Sequence, residues 1–189
     1  MTKNKAKLII FTGPSGVGKG TILTDFFKKA DNKIVYSISN TTRNPRDGEI
    51  NGMHYFFVSK EEFEQMINDN QFLEHACYSE NYYGTNKKFV DEKIQEGKSV
   101  LLEIELQGAL QVMKKCPEAV TIFIKPPSFK ELEKRLRGRH TESEEAIQKR
   151  LIAAKEEINN ADKFHYVIEN DIVDKAVDEL IEIYNKETK

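Results

Sequence analysis

The sequence predicts an α/β fold: a parallel sheet core flanked by helices, into which a small mixed β lobe and a helical lid are inserted. Three observations carry this. Strand-like apolar runs at residues 7–12, 33–37, 99–104, 119–125 and 166–168 alternate with helix-like segments, the pattern of a parallel sheet covered on both faces. The first run leads into Phe11-Thr12-Gly13-Pro14-Ser15-Gly16-Val17-Gly18-Lys19-Gly20-Thr21, a glycine-rich strand-to-helix turn of the phosphate-binding kind. Two polar, turn-rich segments, 38–85 and 126–150, interrupt the alternation.

Composition bounds what such a chain can be. Its 189 residues, 39% of them hydrophobic, suffice for one good core and not for two ordinary domains. The expected organisation is one domain: a core of residues 1–37, 86–125 and 151–189, a β lobe of 38–85 and a lid of 126–150. A net charge of −2 provides no global field for nucleic acid or an anionic membrane, so any anion must meet a local Arg and Lys cluster. Cys77 and Cys116 are far apart and outside any metal-ligand or CxxC spacing, which fits reduced thiols in the cytoplasm. The Lys-rich start precedes too short an apolar run for a signal peptide, and no later run approaches a membrane span. A cytoplasmic protein is expected.

Taken in order, each element has a local reason. In the first turn, Gly13, Gly16 and Gly18 let the backbone approach an anion without a Cβ in the way. Lys19 can reach its outer phosphates as a point charge, and Ile22, Leu23, Phe26 and Phe27 give the following helix its apolar face. Gly20 stands where a Ser or Thr hydroxyl would meet Mg²⁺ and the hydroxyl comes one residue later, at Thr21. A metal there would be held mainly by phosphates and water, with Thr21 a candidate ligand.

In the β lobe, Arg43-Asn44-Pro45-Arg46-Asp47-Gly48 is a turn, and strand-like runs follow at 53–58 and 72–78. Arg43, Arg46, Tyr55 and Tyr83 are good donors to a phosphate monoester, whereas Tyr82 reads as packing. Glu74 is a carboxylate in apolar company, Phe72-Leu73-Glu74-His75-Ala76. Glu103 and Glu105 end a strand where ligands of parallel sheets bind; simple strand-end exposure is the other reading. Capping boxes are expected at Ser59 with Glu62, Ser128 with Glu131, and Thr141 with Glu144. The lid helix places Arg135 and Arg139 four residues apart on one face. They form either a clamp for an anion or a solvated face on which Glu131 pairs Arg135; Arg150 is a third candidate for the clamp.

Together these stretches resemble the guanylate kinase family over nearly the whole chain. The matching residues are Gly13-Pro-Ser-Gly-Val-Gly-Lys-Gly-Thr21, Ser39-Asn-Thr-Thr-Arg-Asn-Pro-Arg46, Gly48-Glu-Ile-Asn-Gly52 leading to Tyr55, Phe72-Leu-Glu74, Asn81-Tyr-Tyr-Gly-Thr85, Glu103-Ile-Glu-Leu-Gln-Gly108, and Arg135-Leu-Arg-Gly-Arg139 with Thr141-Glu142. The resemblance implies Mg²⁺-dependent transfer of the ATP γ-phosphoryl group to GMP in purine nucleotide metabolism, with dGMP an expected further acceptor, by a monomer or homodimer. It implies that the loop from Gly13 to Thr21 holds the ATP phosphates, with Asn170 near the adenine. Arg43, Arg46, Tyr55 and Tyr83 would hold the GMP phosphate, and Ser39, Glu74, Thr85 and Glu105 the guanine, with Glu103 beside them. Lys19, Arg43, Arg135, Arg139 and Arg150 would be the catalytic cations. Gly20, Glu105 and His140 depart from the commonest residues of the family, which more often has Ser or Thr, Asp and Gly there. Two rival readings are a phosphopeptide-binding relative without catalysis, which typically loses parts of the ATP loop that this chain keeps, and a kinase for another phosphate acceptor.

Overall fold

The computed structural model describes residues 5–78, 80–138 and 143–189. In chain order the elements are β1 (Leu8–Thr12), α1 (Lys19–Lys29), β2 (Ile34–Tyr36), β3 (Asn40–Thr41), β4 (Phe56–Phe57), α2 (Lys60–Asn68), β5 (Phe72–Tyr78) and β6 (Asn81–Asn86). They continue with α3 (Lys87–Gln95), β7 (Ser99–Glu103), α4 (Leu106–Lys115), β8 (Val120–Lys125), α5 (Phe129–Arg137), α6 (Glu144–Ile158), β9 (Tyr166–Glu169) and α7 (Val173–Thr188).

The large sheet is parallel throughout, in the order β2-β7-β1-β8-β9, with Leu8 beside Val100, Ile9 beside Val120 and Ile122 beside Tyr166. Successive strand residues point to opposite faces, so central β1 splits its side chains between two cores. Ile9 and Phe11 join Ile22, Phe26, Leu132, Leu151 and Leu180 on one face. Ile10 joins Leu73, Val100, Leu102, Val112 and Phe164 on the other. Because both faces are covered, Ile9, Ile10 and Phe11 are all buried, which is why the strand reads as a continuous apolar run.

The small sheet has the order β4-β3-β6-β5, with β3 parallel to β4 and the other pairs antiparallel. Here the structure corrects the sequence reading. The run expected at 53–58 contracts to Phe56–Phe57, while β3 and β6, which carry no alternating pattern, are strands. Their pairing is imposed from outside: Phe63 of α2 stacks on Phe72 at 4.4 Å and on Tyr82 at 5.4 Å, and this aromatic layer buries one face of the sheet. Tyr82 is thus a packing residue, as expected.

Ser59 and Glu62 form a complete capping box, and Ser128 accepts from the Glu131 N–H. The third expected cap is displaced. α6 begins at Glu144 with Ser143 as its N-cap, its hydroxyl accepting from the Ala146 N–H at 3.3 Å, and Glu144 pairs instead with Arg137. Thr141 lies outside the described residues. α5 is anchored by Leu132 and Leu136, both in the main core. Cys77 and Cys116 are free thiols, and no described helix is long and apolar enough to cross a membrane.

Candidate active site

β1 ends at the C-terminal edge of the large sheet, and the chain turns back there over residues 13–18 into α1. Gly13 has φ 155° and a Cβ on it would lie 2.3 Å from the Ile124 carbonyl oxygen; that obstacle is backbone and cannot yield, so only glycine fits. Gly18, with φ 98°, is the N-cap of α1 and offers no side-chain cap. The first N–H groups of α1 therefore point out with their partial positive charge, ready for an anion. Lys19 folds back along the turn, its Nζ 2.5 Å from the Gly13 carbonyl and 3.3 Å from that of Pro14. Gly20 differs from the others: a Cβ there meets nothing within 4 Å, so no steric demand requires glycine at that position.

Arg135 is tied to this turn through Asn170, the residue that follows β9. Asn170, 2% exposed, donates from its side chain to the Val17 carbonyl at 2.7 Å and from its N–H to the Lys125 carbonyl at 2.9 Å. Arg135 donates to the Asn170 carbonyl at 3.0 Å while its Nε meets Glu131 at 3.1 Å. Arg135 thus pairs Glu131, as the second reading of the α5 face expects, and also donates to the residue that braces the loop. Arg150, from α6, donates to the Ser15 hydroxyl at 3.2 Å. Arg139 and His140 lie outside the described residues.

One cavity opens beside the turn and a second adjoins it. The first, of about 290 Å³, is lined by Gly13, Ser15, Lys19, Tyr36, Tyr55, Glu103, Ile104, Glu105 and Glu157. A second, of about 270 Å³, is walled by Ser39, Tyr55, Glu74, Tyr83, Glu103, Glu105 and Gly108 among others. Tyr55, Glu103, Ile104 and Glu105 belong to both walls, so the cavities adjoin across them. Deep in the second, Glu74 is 4% exposed and accepts from the Thr85 hydroxyl at 2.6 Å. Burial pushes the Glu74 carboxyl up, against the hydrogen bond from Thr85 and the positive charge of Lys115.

At the rim, Arg43 makes a two-pronged pair with Glu49, at 2.9 and 2.8 Å, and its guanidinium carbon lies 5.4 Å from the centre of the Tyr55 ring. The hydrogen bond from Arg43 holds the Glu49 carboxyl at about 2, and the same contact raises Arg43 further. Tyr83 packs edge-on against Tyr55 at 6.0 Å. Arg46 is exposed, its backbone N–H donating to Glu49 at 2.7 Å.

Four residues here have no role in the sequence reading. Glu49 orients Arg43, and the alternation of charge across that turn could have suggested it. Tyr36 donates to Glu103 at 3.1 Å, Gly108 lies against Glu74, and Glu157 faces Lys19 across the first cavity, its carboxyl raised by burial against the pull of that lysine. Gly108 ends the stretch Glu103-Ile-Glu-Leu-Gln-Gly108, which could have suggested it, whereas Tyr36 and Glu157 come from distant segments and nothing local marks them.

A parallel sheet with a glycine turn, a lysine and a helix N-terminus at its C-terminal edge defines a P-loop nucleotide-binding protein. The family model described as guanylate kinase matches residues 5–187. A guanylate kinase of Bacillus subtilis (strain 168) is 52% identical over 178 residues, covering 94% of this chain and 87% of that protein. One of Halalkalibacterium halodurans is 51% identical over 187 residues, covering 99% and 91%. A crystal structure of guanylate kinase from Anaplasma phagocytophilum superimposes with a TM-score of 0.80 at 32% identity, over 100% of this chain and 89% of that one. The chain belongs to the guanylate kinase family.

Proposed function

We propose that the chain is an ATP:GMP phosphotransferase whose two adjoining cavities hold donor and acceptor. The observation that carries this is the shared wall of Tyr55, Glu103, Ile104 and Glu105: it puts a phosphate turn on one side and a buried carboxylate on the other. The turn from Gly13 to Thr21 receives the ATP phosphates, with Lys19 on the outer ones and Asn170 bracing the turn near the adenine. Arg43, Arg46, Tyr55 and Tyr83 receive the GMP phosphate. Glu74, with Ser39, Thr85, Glu103 and Glu105 around it, faces the guanine, whose adjacent N1–H and 2-amino groups match the two oxygens of a carboxylate.

The acceptor phosphate is anionic at neutral pH and needs no general base, so the protein's work is alignment and charge. Arg150, on Ser15 of the turn, and Arg135, on the Asn170 that braces it, stabilise the transferring group, and Arg139 joins them. Mg²⁺ fits as an ion carried in with ATP: Thr21 is an exposed hydroxyl at the turn's end, and a small hard cation keeps most of its water. When bound it would supply positive charge that offsets the charge of the phosphates. The 38–85 lobe and the 126–150 segment close over both substrates to exclude water, and dGMP serves as a further acceptor. The cytoplasm is the compartment that supplies these substrates.

The test is ADP production from MgATP with GMP, dGMP, AMP, CMP, UMP and no acceptor. GMP-selective turnover is expected; a folded protein that binds GMP and turns over no acceptor would instead mark a binding module. A pH effect follows from Glu74. Because its carboxyl is raised, more of it is protonated in acidic buffer than of a solvated glutamate, and accepting two guanine N–H groups requires the ionised form. GMP binding there releases more protons from the wild type than from Glu74→Gln, as read by calorimetry in buffers of different ionisation heat. Equal release from both proteins would contradict the assignment.

A further inference from the structure

We infer that α4 sets the acceptor specificity: Gly108, Gln111 and Lys115 hold three consecutive residues of β5, namely Glu74, His75 and Leu73, and so fix the Glu74 carboxylate against the purine edge. This rests on the reading that Glu74 faces the guanine.

β5 is the outermost strand of the small sheet, so one of its edges has no strand partner. Side chains of α4 close that edge instead. The Gln111 amide donates to the His75 carbonyl at 2.9 Å and accepts from the His75 N–H at 3.3 Å, the double exchange that a residue of a neighbouring strand would make. Lys115 donates to the Leu73 carbonyl at 2.6 Å and reaches that of Phe72 at 3.4 Å. Between them, a Cβ on Gly108 would lie 2.6 Å from Glu74 Oε2 and 3.1 Å from its carboxyl carbon. Positions 108, 111 and 115 are spaced to share one helix face, and on β5 their contacts fall on 73, 74 and 75.

A second observation points to the same place. The pairing of β5 with β6 is irregular between Phe72 and Glu74, and bulges beside active sites re-aim a side chain. The re-aimed residue is Glu74. Its Oε1 accepts from Thr85 at 2.6 Å and its Oε2 abuts the α4 backbone at Gly108, so the plane of the carboxylate is set from both sides. Gly108 lines the cavity; Gln111 and Lys115 act through β5 and are positioning residues.

The experiment compares Gln111→Leu, Gly108→Ala and Glu74→Gln, measuring kcat/KM for GMP and for inosine 5′-monophosphate, KM for ATP, and Tm. Inosine 5′-monophosphate keeps the N1–H and lacks the 2-amino group, so the ratio between acceptors reports the aim of the carboxylate. A general loss of structure lowers both acceptors alike. In Gln111→Leu and Gly108→Ala the preference for GMP is expected to fall about tenfold or more, misplacements on the ångström scale costing up to roughly 10²-fold, with KM for ATP unchanged. If the preference survives in both while Glu74→Gln loses it, α4 does not set the specificity and the inference fails alone. If Glu74→Gln keeps it too, the reading of Glu74 fails and the inference with it.

Discussion

Lys19→Ala lowers kcat for GMP phosphorylation by roughly 10²–10³-fold, the cost of removing one preorganised donor aimed at developing charge. The lysine is the first residue of α1 and its Nζ lies over the turn, 2.5 Å from the Gly13 carbonyl. No part of the apolar core depends on that ammonium, so the variant stays folded, its Tm lowered only by the loss of the contacts with the Gly13 and Pro14 carbonyls. GMP affinity also persists, since Glu74 and Arg43 belong to the other cavity and its rim. Single-turnover rates with saturating MgATP and GMP check this. Turnover within tenfold of wild type would remove Lys19 from the chemistry and leave Arg135 and Arg150 as the cations to be tested.

Glu74→Gln is expected to dissociate stability from selectivity. Sites that hydrogen-bond a substrate N–H pair in a desolvated pocket can discriminate by about 10⁴–10⁵, because the wrong base leaves a buried group unpaired. Glutamine offers one acceptor in place of two and presents an amide donor to a donor edge, so kcat/KM for GMP falls while KM for ATP holds. The preference for GMP over AMP falls by about 10²-fold or more.

Stability moves the other way. The folded state raises the Glu74 carboxyl through burial, so it favours the protonated form, and its contribution to stability is lost as pH rises through that raised value. A neutral isostere escapes that loss, and its Tm at neutral pH equals or exceeds the wild type's. Acceptor panels and thermal melts of one purified variant test both halves. Intact GMP selectivity would overturn the role of Glu74, and a lower Tm at neutral pH would overturn the electrostatic argument.

The gap between what is visible locally and what is not runs through particular residues. Gly13 to Lys19 were legible because a strand, a glycine turn and a helix start are all written within a dozen residues. Capping at Ser59 and Ser128 was legible for the same reason. The third cap falls at Ser143 and not at Thr141, two hydroxyls close together in the chain between which only the helix's first turn selects. In the small lobe, β3 and β6 could not be read, since Phe63, from α2, supplies the layer that makes them a sheet.

The class of fold and the phosphate turn can be read from the order of residues alone, because periodicity and turn chemistry act over one or two turns of chain. Which of the charged and polar residues meet is fixed by packing. Tyr36 reaches Glu103 across 67 positions and Gln111 reaches His75 across 36. From different helices, Arg150 reaches Ser15 of the turn and Arg135 reaches Asn170, which braces it. The space of a single missing Cβ at Gly108 holds the Glu74 carboxylate. Such contacts depend on how helices lie on a sheet, and helix placement is set by the packing of side chains far apart in sequence.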